Sequence, residues 1–213
     1  MLLIGMFDSP FVRRCAISAK MLGIAFEHAN WSVGSDHERI REVSPLGRVP
    51  ALVADNREVL ADSAAILDYF DELAGPKRAL LPPSGSERRE AQRIIANAIG
   101  AAEKAREVLN ERITRPRELQ HEPWLQRCRA QMHGALGEVE AACTRRALGE
   151  WLVGETITQA DITSACVYTL LTESLIRIEE DGVRYPRLKG LTARCEALPE
   201  FQATHLAWFA FTA

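Results

Sequence analysis

Apolar positions in the first 75 residues alternate between strand-like and helix-like spacing. A short apolar run from Leu2 to Met6 has the length of a buried strand. Small and apolar residues then follow at helical spacing from Arg13 to Leu22, and Gly23 provides a C-cap. A second strand is predicted between Ile24 and Trp31, and a short helix between Asp36 and Val43.

Two further strands and a third helix complete this half of the chain. The segments Ala51 to Val53 and Val59 to Leu60 flank the turn Asp55-Asn56, which predicts a hairpin. Asp62-Ser63 then opens a helix whose apolar residues keep the helical period up to Gly75. The predicted order over residues 1–75 is therefore βαβαββα.

The rest of the chain carries only helical patterns. Residues 76–86 are rich in Pro, Gly and Ser, which predicts a linker. Apolar stripes from Ile94 to Ile113 and from Trp124 to Cys143 predict two long helices that pack as an antiparallel pair. We therefore expect an α+β protein with a mixed domain at 1–75 and an all-helical domain at 87–213.

Composition excludes several classes of function. The chain of 213 residues has a net charge of -3, and its basic residues are interspersed with acidic ones, which argues against a nucleic-acid partner. No apolar stretch is long enough for a membrane span, and the first apolar run lacks the basic segment of a signal peptide. The five cysteines form no Cys-x-x-Cys pair, which favours free thiols in a reducing cytoplasm. The five histidines show no metal-ligand spacing.

The step from the first strand to the first helix carries the first candidate chemistry. Ser9 stands at the N-cap and Pro10 at the first helical position, where its missing N–H costs nothing. The Ser9 hydroxyl and the free N–H groups of the first turn can converge on one anion, such as a thiolate. The alternative is that Ser9 only caps the helix.

Two further signals lie at loops of the same half. Val49-Pro50 could expose the backbone of Val49 to an extended peptide if the bond were cis, although the residues alone predict trans. Asp62 and Ser63 can offer a carboxylate, a hydroxyl and backbone N–H groups at the start of the third helix. The alternative for this pair is an ordinary N-cap.

A fourth signal lies in the helical half, at residues 151–161. Thr158 and Asp161 have the spacing of a capping box, in which each side chain binds a backbone N–H near the other. The box follows a turn at Gly154 and precedes an apolar helix. This motif predicts a structural role and no catalysis.

Together these four signals resemble the cytosolic glutathione S-transferase family, in its bacterial form with a serine active site, along the whole chain. The resemblance implies a thioredoxin-like first domain and a cis Val49-Pro50 bond. It assigns Ser9 to activation of the glutathione thiol, Val49 to pairing with the cysteinyl part, and Asp62-Ser63 to the γ-glutamyl group.

The resemblance assigns two further residues less directly. Phe11 would flank the sulfur, with core packing as the alternative, and Arg48 could reach a glutathione carboxylate, with a solvated loop arginine as the alternative. We expect Arg13 and Arg14 to be solvated or ion-paired. Cys15 is expected to be buried and inert, and serine at position 9 disfavours the thiol-disulfide branch of the family.

The implied activity is transfer of glutathione, as co-substrate, to a small hydrophobic electrophile by a cytoplasmic homodimer, with no metal, nucleic acid or membrane. Two alternatives remain: a non-catalytic interaction protein like the stringent-starvation branch, and a glutathione-dependent isomerase or dehalogenase. The C-terminal tail is aromatic and could pack on its own domain or cover a second substrate. Its residues are His205, Trp208, Phe209 and Phe211.

Overall fold

The structure is a computed structural model that describes residues 1–208 of the chain. The chain divides into two compact units. The first contains residues 1–83 and 197–207, and the second contains residues 84–196 with Trp208. Each unit is described by itself below.

The first unit contains a four-stranded mixed sheet. Its strands are β1 (Leu2–Ile4), β2 (Glu27–Ala29), β3 (Ala51–Val53) and β4 (Val59–Ala61). The strand order is β2-β1-β3-β4, with β1 parallel to β2 and antiparallel to β3, and with β3 antiparallel to β4. The second strand is shorter than predicted, since only three residues of this edge strand pair with the three residues of β1.

Three helices of the first unit pack on the sheet. They are α1 (Pro10–Leu22), α2 (His37–Val43) and α3 (Ser63–Ala74), which confirms the predicted βαβαββα order. Helices α1 and α3 contact each other, and each also contacts a strand. Ile4 and Ala51 pack with Ile40 of α2 in a separate cluster. Because Leu3 and Leu52 are their strand neighbours, they point to the opposite face of the sheet.

The second unit is all-helical. It contains α4 (Gly85–Thr114), α5 (Glu122–Thr144), α6 (Gln159–Glu173) and α7 (Pro186–Glu196), with short 3₁₀ helices at Arg117–Leu119 and Ile178–Asp181. The long helices α4 and α5 pack against each other, as their apolar stripes predict. Helix α6 is buried from Gln159 to Leu171 and contacts both α4 and α7, so it forms the centre of this unit.

Residues 76–83, predicted as part of a linker, belong to the first unit. The Asp71 carboxylate on α3 accepts the N–H groups of Leu80, at 2.8 Å, and Leu81, at 3.1 Å. Arg78 donates to the carbonyl oxygen of Leu22 at the end of α1. The Pro and Gly residues therefore shape a turn that is bound to two helices, and composition alone does not distinguish such a turn from a free linker.

A second difference from the predicted domains concerns residues 197–207, which the sequence pattern places in the helical domain. They contain the short helix α8 (Pro199–Gln202), which contacts α1 within the first unit. Phe201 is fully buried there, and Arg13 donates a hydrogen bond to its carbonyl oxygen at 3.0 Å. Burial of this aromatic ring fixes the segment, and no local sequence pattern signals that contact.

The capping box of α6 is formed as predicted. Asp161 is fully buried and accepts hydrogen bonds from the N–H of Leu152 at 2.8 Å, the N–H of Thr158 at 2.9 Å and the Thr158 hydroxyl at 2.8 Å. Burial raises the pKa of this carboxyl, and the hydrogen bonds offset only part of the rise. The box joins the turn before α6 to the first turn of the central helix.

We expect Asp161→Ala to lower the free energy of unfolding by about 3 kcal/mol, because two buried backbone N–H groups lose their acceptor. Urea unfolding followed by far-ultraviolet circular dichroism would measure this change. The control is Asp68→Ala on the exposed face of α3, with an expected change below about 0.5 kcal/mol. Equal effects of the two substitutions would contradict a structural role of the box.

Candidate functional site

Three turns of the first unit meet at one end of its sheet. The register places Ile4 beside Ala51 and Ala51 beside Ala61. Because β1 and β4 run antiparallel to β3, the end of β1, the start of β3 and the end of β4 lie together. The turns that adjoin these residues carry the predicted site residues.

An open, shallow cleft lies at this end of the sheet. Six of the seven predicted site residues line it: Phe11, Arg48, Val49, Pro50, Asp62 and Ser63. Ser44, Leu46 and Ala61 complete the lining. Ser9 does not line the cleft, but it lies two residues before Phe11 in the turn that leads into α1.

The Val49-Pro50 peptide bond is cis, so the trans form favoured by the residues alone is wrong and the form implied by the resemblance is confirmed. No backbone hydrogen bond involves Val49 within residues 1–208. Its side chain packs close to Gly5, where an added Cβ would lie 2.8 Å from the Val49 Cβ and 2.6 Å from Cγ2 of Val12. Gly5 has φ +126°, so both its conformation and its surroundings require glycine.

The turn between β1 and α1 is held by the neighbouring strand. His28 on β2 binds the Gly5 carbonyl oxygen through Nε2 at 2.7 Å, and its ring stacks on Phe7 with the centroids 3.9 Å apart. The Ser9 N–H donates to the Met6 carbonyl oxygen at 3.2 Å. Burial of the half-buried Asp8 carboxyl raises its pKa, and the nearby backbone N–H groups of Asp8 and Ser9 lower it by less. These contacts place Ser9 at the head of α1.

Ser9 is the N-cap residue of α1, but its side chain makes no capping hydrogen bond. Within residues 1–208, the N–H groups of Phe11 and Val12 in the first turn meet no acceptor, and the Ser9 hydroxyl makes no hydrogen bond. The hydroxyl is half-buried, and the helix dipole favours negative charge at this end. The arrangement can therefore stabilise an anion with one hydroxyl and two backbone donors.

Asp62 and Ser63 present complementary groups on the other side of the cleft. Asp62 caps α3 by accepting the N–H of Ala64 on Oδ1 at 2.8 Å, which leaves Oδ2 without a partner in the described part of the chain. Its φ of +77° is rare for a residue with a side chain and costs roughly 1–3 kcal/mol. The pair can accept from an ammonium group through Asp62 and donate to a carboxylate through Ser63.

Arg14 lies directly behind Ser63, which the sequence did not predict. Arg13 and Arg14 are each only 3% exposed, so the solvated alternative is wrong, whereas the ion-paired alternative is not contradicted. Arg14 donates from Nη2 to the Ser63 hydroxyl oxygen at 2.7 Å. Because that oxygen accepts from Arg14, the Ser63 hydroxyl proton is directed to another acceptor. A buried positive charge thus adjoins the position where Ser63 would donate to a carboxylate.

The remaining sequence-predicted residues have these positions. Cys15 is fully buried, and its thiol donates to the Ser63 carbonyl oxygen at 3.7 Å. His205 is exposed and Trp208 half-buried, whereas Phe209 and Phe211 lie outside the described residues. Among residues 1–208, no group of three or more His, Cys, Asp or Glu side chains could hold a metal ion. No helix in that range has both the length and the apolar character needed to cross a membrane.

Comparison with known protein families assigns both parts of the chain. Residues 3–78 match the N-terminal domain of glutathione S-transferases, and residues 101–199 match the C-terminal domain. A curated relative, the uncharacterized GST-like protein YibF of Escherichia coli K12, is 31% identical over 166 residues, covering 78% of this chain and 79% of YibF. The chain therefore belongs to the glutathione S-transferase family.

Solved structures of this family have the same fold. A glutathione S-transferase from Methylobacterium radiotolerans, in complex with glutathione sulfonate, is 26% identical with a TM-score of 0.89, covering 100% of this chain and 97% of that one. A glutathione transferase family member from Pseudomonas fluorescens Pf-5, with bound glutathione, is 26% identical with a TM-score of 0.79, covering 95% and 97%.

We expect Gly5→Ala to destabilise the first unit by about 2 kcal/mol, because the new methyl group would overlap Val12 and Val49 at a positive φ. Thermal or urea unfolding would measure the change. The control is Gly137→Ala on the exposed side of α5, where an added Cβ meets nothing and alanine favours the helix. A neutral Gly5→Ala variant would contradict the close packing at this turn.

Proposed function

We propose that this protein binds glutathione in the cleft of its first unit and activates the glutathione thiol for attack on a small hydrophobic electrophile. Membership of the family supports the proposal, as do the two solved relatives with glutathione sulfonate and glutathione bound. The observation that carries it is the Ser9 hydroxyl without a capping bond, beside two backbone N–H groups that meet no acceptor within residues 1–208.

The cleft offers one recognition group to each part of the tripeptide. Asp62 Oδ2 accepts from the γ-glutamyl ammonium group, and Ser63 donates to its carboxylate with Arg14 behind it. The backbone of Val49, which is not used within the described residues, pairs with the cysteinyl part as one strand edge pairs with another. Arg48, exposed at the rim, reaches the remaining carboxylate.

Ser9 acts as a hydrogen-bond donor to the sulfur and not as a nucleophile. A free thiol has a pKa of about 8.5, and lowering that pKa by about two units requires about 2.7 kcal/mol. A hydrogen bond to a charged group contributes about 1.5–3 kcal/mol, and the helix terminus adds up to about 1 kcal/mol. These two sources are sufficient to keep the sulfur ionised near neutral pH. The thiolate then attacks the electrophile that is bound beside it.

The proposal also covers the setting of the reaction. We infer that the protein works as a homodimer in the cytoplasm and that its reaction serves detoxification of electrophiles. The five cysteines are free and buried, which is consistent with a reducing compartment. Product analysis with several electrophiles would separate conjugation from isomerase or dehalogenase chemistry.

We expect Ser9→Ala to lower the rate of glutathione conjugation by about tenfold to a hundredfold, with little change in glutathione affinity. The reason is that the lost hydrogen bond stabilises the thiolate more than the thiol. Conjugation to chlorodinitrobenzene, measured across pH, would show the apparent pKa of the bound thiol rising by about one to two units. The free energy of unfolding should stay within about 0.5 kcal/mol, because Ser9 makes no capping bond.

Ser84→Ala provides the matched control for this substitution. Ser84 is the N-cap residue of α4 and also makes no side-chain capping bond, but it lies outside the cleft. Its loss should leave both turnover and the pH profile unchanged. If Ser9→Ala keeps wild-type turnover, the assigned role of Ser9 is wrong. Binding of glutathione without turnover in the wild type would instead favour the interaction protein.

We expect Ser63→Ala and Arg14→Gln each to weaken glutathione binding by about tenfold. Ser63→Ala removes the hydroxyl that donates to the γ-glutamyl carboxylate, and Arg14→Gln removes the charged donor that supports this hydroxyl. Calorimetric titration of each folded variant with glutathione would measure the dissociation constant. Turnover at saturating glutathione should fall much less, since neither residue contacts the sulfur in this proposal.

Arg13→Gln is the control for loss of a buried arginine. Arg13 is as buried as Arg14 and lies on the same helix, but it donates to the Phe201 carbonyl oxygen. This substitution should lower stability without changing glutathione affinity. Glutathione binding that is equally affected in both arginine variants would show a general structural effect and remove the role of Arg14. A folded wild type that does not bind millimolar glutathione would overturn the whole proposal.

A further inference from the structure

The edge strand β2 is paired with β1 by backbone groups alone. The Glu27 N–H donates to the Met1 carbonyl oxygen at 2.9 Å. The Gly5 N–H donates to the Ala29 carbonyl oxygen at 3.0 Å. His28 lies between these two bonds, in the middle of the strand, and it is exposed. The two strands are therefore paired without any contribution from the His28 side chain.

The His28 ring instead contacts two residues of the turn between β1 and α1. Its Nε2 lies 2.7 Å from the Gly5 carbonyl oxygen, and its ring stacks on Phe7 with the centroids 3.9 Å apart and the planes 5° apart. Because a carbonyl oxygen can only accept, Nε2 carries a hydrogen, and it does so in the neutral ring of this tautomer and in the protonated ring alike. The hydrogen bond therefore persists in either charge state.

These two contacts lie on both sides of the group that binds the Ser9 backbone. The Ser9 N–H donates to the Met6 carbonyl oxygen at 3.2 Å, which closes a four-residue turn. Met6 stands between Gly5, which His28 holds by its backbone, and Phe7, which His28 holds by its ring. The acceptor of the Ser9 N–H is thus fixed from both directions along the chain.

The turn has little other support. Residues 6–8 are half-buried, and none of their backbone groups bonds to another part of the first unit within residues 1–208. The turn is therefore held at its two ends, by Gly5 and by the start of α1, and by the contacts of His28. Loss of the ring would leave the segment before Ser9 without its link to β2.

We propose that His28 is a positioning residue for Ser9, which keeps the turn in the conformation that directs the Ser9 hydroxyl to the glutathione sulfur. This inference rests on the proposed function, in which Ser9 donates to the thiolate. His28 acts through Gly5 and Phe7, and it neither contacts the sulfur nor transfers a proton.

The position of the Ser9 hydroxyl depends on the backbone that carries it. The Ser9 side chain makes no capping bond, so no bond to the first turn of α1 orients this hydroxyl. A hydrogen bond weakens steeply as its angle falls towards about 120°. A displacement of about 1 Å can lower the rate of an enzyme by about a hundredfold. A small movement of the turn is therefore sufficient to impair activation of the thiol.

The first experiment measures amide hydrogen exchange of the full chain by nuclear magnetic resonance, without glutathione. His28→Ala should accelerate exchange of the Ser9 N–H by about fivefold or more, whereas the N–H groups of the central strand β3 should keep their wild-type rates. Glu27→Ala, which changes an exposed neighbour on the same strand, is the control and should leave all these rates unchanged. An unchanged Ser9 rate in the folded His28→Ala variant would overturn the proposal.

The second experiment measures conjugation of glutathione to chlorodinitrobenzene across pH. His28→Ala should lower turnover by about tenfold and raise the apparent pKa of the bound thiol by about one unit. The glutathione dissociation constant should change by less than about twofold, because Asp62 and Ser63 lie outside the turn. Glu27→Ala should match the wild type in all three quantities.

Two further variants separate the hydrogen bond from the stacked ring. His28→Gln keeps an N–H donor at a similar reach and should retain at least about half of wild-type turnover. His28→Phe keeps a ring against Phe7 but has no donor, so it should be as impaired as His28→Ala. Wild-type turnover in His28→Phe, together with low turnover in His28→Gln, would overturn the role of the hydrogen bond.

A double substitution tests whether His28 acts through Ser9. Adding His28→Ala to Ser9→Ala should lower turnover by less than about twofold further, because the group that His28 positions is already absent. A further tenfold loss would show an effect independent of Ser9 and overturn the proposal.

The outcomes also separate this inference from the proposed function. Wild-type turnover in His28→Ala, with impaired turnover in Ser9→Ala, would overturn only the role of His28. Wild-type turnover in Ser9→Ala would overturn the assigned role of Ser9, and the role of His28 with it.

Discussion

The antiparallel register of β1, β3 and β4 is the constraint on which the first unit depends. It aligns Ile4, Ala51 and Ala61, so that the chain enters or leaves the sheet at the same end three times. Each of these three junctions contributes residues to the lining of one cleft. A slip of one residue in β3 would send its buried side chains to the other face and displace Val49 from Gly5. The apolar pattern that sets the register therefore also assembles the site.

The order of elements could be predicted because each element buries a face with its own period. Ile66 and Phe70 on α3, four residues apart, are fully buried, as their spacing predicts. Boundaries were less predictable where a tertiary contact competes with local composition. The turn at 76–83 has linker composition but is bound by Asp71, and residues 197–207 join the first unit through Phe201. Such contacts join residues that are separated in the sequence, so no local sequence pattern predicts them.

The candidate site likewise contains residues that the sequence predicts and residues that it does not. Cap positions and pre-proline residues could be identified from the sequence, because their chemistry depends on immediate neighbours. The role of Arg14 could not, since arginine is seldom buried and Ser63 lies 49 residues further along the chain. Gly5 lies within the first apolar run and could have been interpreted as a close approach, but its neighbour Val49 is known only from the fold.

Three residues near the cleft of the first unit depart from local rules. Ser9 is an N-cap residue whose side chain makes no capping hydrogen bond, Asp62 adopts a positive φ, and the charged side chain of Arg14 is buried. Each costs stability by itself, and proteins retain such features mainly where function requires them. The box at Thr158 and Asp161 is the opposite case, because every group in it is satisfied within the chain. A satisfied motif explains folding, whereas groups without a partner in the described part of the chain, such as the Ser9 hydroxyl and Asp62 Oδ2, are available to a ligand.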